Sequence, residues 1–191
     1  MTLDEMIGKT GKRLASFNIM KGYLDTIQNP VIVETGCARE EDNFDGDGMS
    51  TLIFDEYVKQ YGGTFYSVDI NPDNTAFAKS KCDLAKIHTG DSVEFLYNFP
   101  LNRKIDLLYL DSYDFDPNNP HPSSLHHLKE LTAIMPSLQK GTMIVVDDNL
   151  LASSDGGKTV FEIGKGQYVK EFMDSIGIQR TFAGYQWVWV L

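Results

Sequence analysis

The chain has 191 residues, 42% of them apolar, which is long enough for one sizeable core and too short for two. The excess of 27 acidic over 17 basic residues gives a formal charge of -10; such a chain repels nucleic-acid phosphates and anionic lipid, leaving small neutral, cationic or metal-bridged ligands as the expected partners. No apolar run approaches the roughly 18 residues that cross a bilayer, no apolar core of signal-peptide length opens the chain, and Cys37 and Cys82 lack metal-ligand neighbours at useful spacing, so the sequence reads as a cytoplasmic protein with reduced thiols.

In chain order, Leu3 to Ile27 has apolar residues at helical spacing with interruptions at Gly8 and Gly11, which predicts a short helix, a break and a second helix ended by Asn29-Pro30. Val31 to Val33 is a β-branched strand closed by Glu34; Gly36 permits the turn that must follow, and Ser50-Thr51 open a helical pattern that runs to Tyr61. Thr64 to Val68 is a second strand closed by Asp69, with a helix from Pro72 to about Lys81. Ala85 to His88 is a third strand, and Asp91 caps the helix after it. Ile105 to Leu110 is nearly all apolar, as suits a central strand buried on both faces, and it ends at Asp111.

The polar, proline-rich stretch that follows is too long for a simple connector. Ser123 or Ser124 then caps a helix whose apolar residues, Leu125 to Leu138, keep a 3.6-residue period. Thr142 to Val146 is the fifth strand, closed by Asp147-Asp148-Asn149. LLASSDGGKT reads as a flexible loop, leading to a helix near Gln167 to Ile176 and two short terminal strands joined at Ala183-Gly184. Alternating strands and helices predict an α/β fold: a doubly wound, mainly parallel seven-stranded sheet with a C-terminal antiparallel hairpin and helices on both faces. It is expected to form one domain over 1–191, with an N-terminal helical segment 1–29 and a core 30–191.

Glu34, Asp69, Asp111 and the pair Asp147-Asp148 each stand immediately after an apolar strand. In a parallel sheet these ends share one edge, so acids distant in sequence converge on the crevice where such sheets bind ligands.

From about Val31 to Leu191 these motifs, in their order, resemble the class I S-adenosylmethionine-dependent methyltransferases, a Rossmann-like family. ETGCAR with GMST resembles the first motif, implying that Glu34, Gly36, Cys37 and Ser50 accommodate the methionine end of the cofactor. VDINP resembles the second, implying that Asp69 accepts both ribose hydroxyls, with Ile70 beside it. TGDSVEFL resembles the third and sets Asp91 and Ser92 toward the adenine. IDLLYLDSYD resembles the fourth and brings Asp111 to the cofactor, while GYQWVWVL matches the antiparallel last strand of the family.

Asp111 with Asp147-Asp148-Asn149 further resembles the magnesium-dependent O-methyltransferases, including sugar and macrolide-sugar enzymes. That resemblance implies Mg²⁺ on Asp111, Asp147 and Asp148, with Asn149 able to replace Asp147, and a small-molecule hydroxyl as acceptor. A hard cation on oxygen ligands orients a hydroxyl and lowers its pKa. The other reading gives Asp111 to the cofactor amine and Asp148 to a helix cap or loop turn. His121 is the first choice for a general base and Asp111 the second; His126 and His127 are adjacent on a helix and do not share a face.

One departure lies inside the first motif, where the turn carries the acidic insertion Glu40 to Asp47. Glu41, Asn43, Asp45 and Gly46 match the opening of a calcium loop, but Leu52 stands where its bidentate glutamate belongs. A solvated loop and a closing lid both stay open for the insertion. Gly157-Lys158-Thr159 lacks the leading glycine and preceding strand of a phosphate loop. Two other classes stay open: a nicotinamide oxidoreductase, against which the first loop lacks G-x-G-x-x-G, and a relative that binds cofactor or metal without transfer. Homo-oligomerisation is compatible with either.

Overall fold

In the computed structural model, which describes residues 1–100, 102 and 104–191, the apolar runs become β1 (Val31–Thr35), β2 (Thr64–Asp69), β3 (Lys86–Thr89), β4 (Leu107–Leu110), β5 (Met143–Val146), β6 (Asn149–Ser154), β7 (Thr159–Gly164), β8 (Phe182–Ala183) and β9 (Trp187–Val190). The helices are α1 (Leu3–Gly8), α2 (Leu14–Leu24), α3 (Ser50–Tyr61), α4 (Pro72–Lys81), α5 (Ser92–Tyr97), α6 (His121–Ile134) and α7 (Gln167–Ser175). Seven strands form one sheet of order β3-β2-β1-β4-β5-β9-β8, parallel through β5, with β9 antiparallel between β5 and β8.

Every residue of β4 and β5 is buried, as their unbroken apolar runs require for strands covered on both faces. One face packs Ile32, Phe65, Tyr109 and Val145 against α1, α2 and α3 through Leu3, Phe17, Met20 and Phe54. The other packs Val33, Leu108, Ile144 and Trp189 against α5, α6 and α7 through Leu96, Leu131 and Val169. Among the described residues no helix is long and apolar enough to cross a membrane.

At the N-terminus a capping box starts the chain: the Thr2 hydroxyl accepts from the Glu5 N–H and the Glu5 carboxylate accepts from the Thr2 N–H. The expected break at Gly8 to Gly11 is a 3-10 turn, Gly11–Arg13, which joins α1 to α2.

Two expectations are corrected. LLASSDGGKT is not a flexible loop: β6 and β7 pair antiparallel from Asn149↔Gly164 to Ser154↔Thr159, and the glycines form the turn of a hairpin outside the main sheet. α6 begins at His121 rather than after a serine cap. Pro122 favours the first turn, and Ser123 and Ser124 both donate to the Pro120 carbonyl instead of capping.

Candidate functional site

The carboxyl ends of β1, β2, β4 and β5 surround a crevice of about 510 Å³, inside the range of roughly 300–1,000 Å³ usual for small-molecule sites. Its floor is the turn after β1. Gly36 has φ +78°, and a Cβ there would come within 2.6 Å of the Asp111 carbonyl oxygen, so only glycine lets the β1 turn pass over the end of β4.

Glu34 does not face the crevice. It is fully buried and accepts hydroxyl hydrogen bonds from Ser50 at 2.6 Å, Thr51 at 2.8 Å and Ser67 at 2.5 Å, which tie the start of α3 to β1 and β2. Burial raises its pKa to about 7, with the three hydroxyls opposing the rise. Cys37, Ser50, Asp69 and Ile70 do line the crevice. Asp69 accepts from the Cys37 N–H at 3.1 Å, the Asn71 N–H at 2.8 Å and the Asn74 amide at 3.2 Å. Those donors fix its orientation and leave about one of a carboxylate's four acceptor directions free, so Asn74 must yield if two hydroxyls are to bind. Asp91 caps α5, and the Ser92 hydroxyl is bonded to His126 at 3.0 Å; neither lines the crevice.

His121 is not brought to the crevice either. As the first residue of α6 it is exposed, with Nδ1 bonded to the Tyr168 hydroxyl at 2.6 Å. His127 is buried with Nδ1 on the Ser123 carbonyl, and burial pushes its pKa down to about 4. Of the expected general bases, Asp111 is the one brought into the crevice. Burial raises its pKa well above the usual range, partly opposed by Lys165 and reinforced by Asp147 and Asp148.

The acidic insertion forms one wall. Phe44 is buried in the core, Arg13 donates to the Asp45 carbonyl at 3.1 Å, and Arg39 bridges Asp47 at 3.2 Å and Asp114 at 3.0 Å across the mouth.

Asp111, Asp147 and Asp148 converge, with one oxygen of each inside a 4.8 Å cluster. The adjacent pair differs in burial: Asp148, at φ +54°, lines the crevice, while Asp147 is fully buried behind it. Asn149 is committed elsewhere, donating to the Val146 and Asp147 carbonyls and accepting from the Gly166 N–H.

Two cations that no local spacing announces complete the cluster. Arg13 donates to Asp147 at 2.7 Å and reaches Asp148 at 3.4 Å. Lys165 Nζ lies 2.7 Å from Asp111 Oδ1 and 2.9 Å from Asp148 Oδ2, and the Tyr185 hydroxyl donates to the other Asp148 oxygen. Burial works against the Lys165 charge, but Asp111, Asp148 and Asp147 outweigh it and raise its pKa, so it is an ammonium. Burial likewise works to raise the Asp148 pKa, and Lys165, Tyr185 and Arg13 together hold it below the usual range. The one carboxylate oxygen of this cluster that is buried without a partner is Asp147 Oδ1. These residues do not fit a divalent ion as they stand. The two crevice-facing acids already share an ammonium, so the three expected metal ligands are gathered around protein cations.

A ligand crevice at the carboxyl edge of this sheet, with β9 antiparallel between β5 and β8, defines a class I S-adenosylmethionine-dependent methyltransferase. Residues 46–149 match the family model described as a methyltransferase domain, and the chain belongs to that family. A comparison with curated proteins found no match. Among solved structures, the chain is similar to a provisionally assigned O-methyltransferase from Klebsiella pneumoniae at 16% identity, over 98% of this chain and 89% of that one, with TM-score 0.56. It is similar to the sugar N-methyltransferase KedS8 from a Streptoalloteichus species at 10% identity, over 91% and 83%, with TM-score 0.52. The MycE methyltransferase of the mycinamycin pathway, solved with Mg and SAH, aligns at 18% identity over 85% of this chain and 45% of that one, with TM-score 0.56. These identities carry the fold alone. The family match disfavours the nicotinamide reading.

Proposed function

We propose that the chain transfers a methyl group from S-adenosylmethionine to a hydroxyl of a small molecule. The carrying observation is that Asp69 and Asp111, from β2 and β4, line one crevice over the Gly36 turn. When bound, S-adenosylmethionine would supply an electrophilic methyl on its sulfonium for attack by an oxygen lone pair, with the thioether sulfur as leaving group taking the C–S bonding pair. Gly36 gives the turn its clearance, and the oriented Asp69 carboxylate suits a ribose. Asp111 accepts the hydroxyl proton as the O–C bond forms, on a carboxylate whose Oδ1 is held at 2.7 Å by Lys165. His121, expected first for this role, is bonded to Tyr168 outside the crevice.

Divalent-metal assistance has the three-acid cluster and the Mg-bound MycE structure in its favour, and the Lys165 and Arg13 ion pairs against it. The two free cysteines support a reducing, cytosolic setting.

Calorimetry with S-adenosylhomocysteine and with NAD, followed by a methyl-transfer screen of hydroxyl-bearing acceptors, tests the reading. Homocysteine-nucleoside binding without NAD binding, and an O-methylated product, are expected. NAD binding, or methylation only of amines, overturns it.

A further inference from the structure

We infer that Lys165 is the site's built-in cation, a positioning residue whose ammonium stands between Asp111 and Asp148 in the place that a divalent ion would take. The inference rests on reading the crevice as the methyl-transfer site.

Three observations support it. First, the ammonium touches both crevice-facing acids, at 2.7 and 2.9 Å, and it also reaches the Asp111 carbonyl at 3.3 Å. A magnesium ion on those same oxygens, at its usual distance of about 2.1 Å, would lie within about 5 Å of the ammonium, and the two would repel.

Second, Lys165 lines the crevice yet is only 2% exposed. A lysine fixed in this way gives up both hydration and rotamer freedom, so its seat must be enforced by its surroundings.

Third, its backbone supplies that enforcement. Lys165 follows β7 at the root of the hairpin, where its N–H donates to the Asp148 carbonyl at 3.2 Å. Gly164 beside it has φ +152°, and a Cβ there would meet the same carbonyl oxygen at 2.5 Å. The hairpin root is thus locked against the strand end that carries Asp148. Nζ is delivered to a fixed point, where it holds the Asp111 carboxylate toward the acceptor.

The test is metal binding itself. Wild type and Lys165→Met, each shown to bind S-adenosylhomocysteine, are titrated with Mn²⁺ while free metal is followed by electron paramagnetic resonance. Wild type is expected to bind no stoichiometric Mn²⁺ at about 1 mM, the weak end for protein cation sites. Lys165→Met should gain one site at least about tenfold tighter, and adding Asp148→Asn should remove it. A wild-type site that Asp148→Asn abolishes overturns the inference, and so does a folded Lys165→Met that binds Mn²⁺ no better than wild type. If Lys165→Met does not fold, the wild-type titration with and without Asp148→Asn decides the question. Failure of wild type to bind S-adenosylhomocysteine would sink the methyltransferase reading instead, while the Mn²⁺ titration still reports on Lys165.

Discussion

Arg13 Nε donates to Asp147 Oδ2 at 2.7 Å, with side-chain exposures of 3% and 0%, and so joins the N-terminal segment to the end of β5. Breaking a buried pair from one side leaves the other charge uncompensated. Arg13→Met is therefore expected to cost about 3–5 kcal/mol of folding stability, read by urea unfolding. A loss under about 1 kcal/mol, the scale of an exposed pair, would contradict the role given to Arg13.

The Asp69 carboxylate is oriented by three N–H donors before any ligand arrives. Asp69→Ala should weaken S-adenosylhomocysteine binding by at least about 1.5 kcal/mol, more than tenfold, as measured by calorimetry on a variant with an unchanged melting transition. Unaltered affinity would place the ribose elsewhere.

Since Lys165 supplies positive charge at the crevice, chelation should leave catalysis intact. Turnover of an acceptor found by screening is expected to be the same in excess EDTA as in millimolar Mg²⁺. Activity that EDTA abolishes and Mg²⁺ restores would return Asp111, Asp147 and Asp148 to a metal.

Burial lifts Glu34 from its ordinary pKa of 4.5 to about 7. Between those values the folded chain keeps a proton that the unfolded chain has released, so this group's contribution to stability is full below about pH 4.5 and is lost as pH rises to 7. Glu34→Gln does not titrate. The stability of wild type relative to the variant should therefore fall by about 3 kcal/mol from pH 4.5 to pH 7.5. A difference that stays flat or rises across that window would show Glu34 to be ionised and stably held by its hydroxyls.

Much of this architecture was legible from local pattern. Unbroken apolar runs marked β4 and β5, and an acid after each strand marked the edge where the crevice lies. The pattern could not say which way each acid points. Glu34 turns to Ser50, Thr51 and Ser67 because hydroxyls at the start of α3 and in β2 happen to surround it, a packing fact without local signature. The β6–β7 hairpin was hidden because its glycines and serines are the composition of a loop, and only long-range pairing with Asn149 reveals strands. Lys165 was hidden with it. Arg13 sits 134 residues from its partner, in a stretch whose only local signal was a glycine break.

The stretch that matches the methyltransferase-domain family, 46–149, encloses Asp111, Asp147 and Asp148 but neither Arg13 nor Lys165. The family portion thus carries the three acids, and the flanks carry their counterions. On the inference drawn for Lys165, a trimmed form lacking the C-terminal flank leaves Asp111 and Asp148 without their ammonium and is expected to collect divalent ions. Metal found in such a fragment would report on the trimming and not on the enzyme.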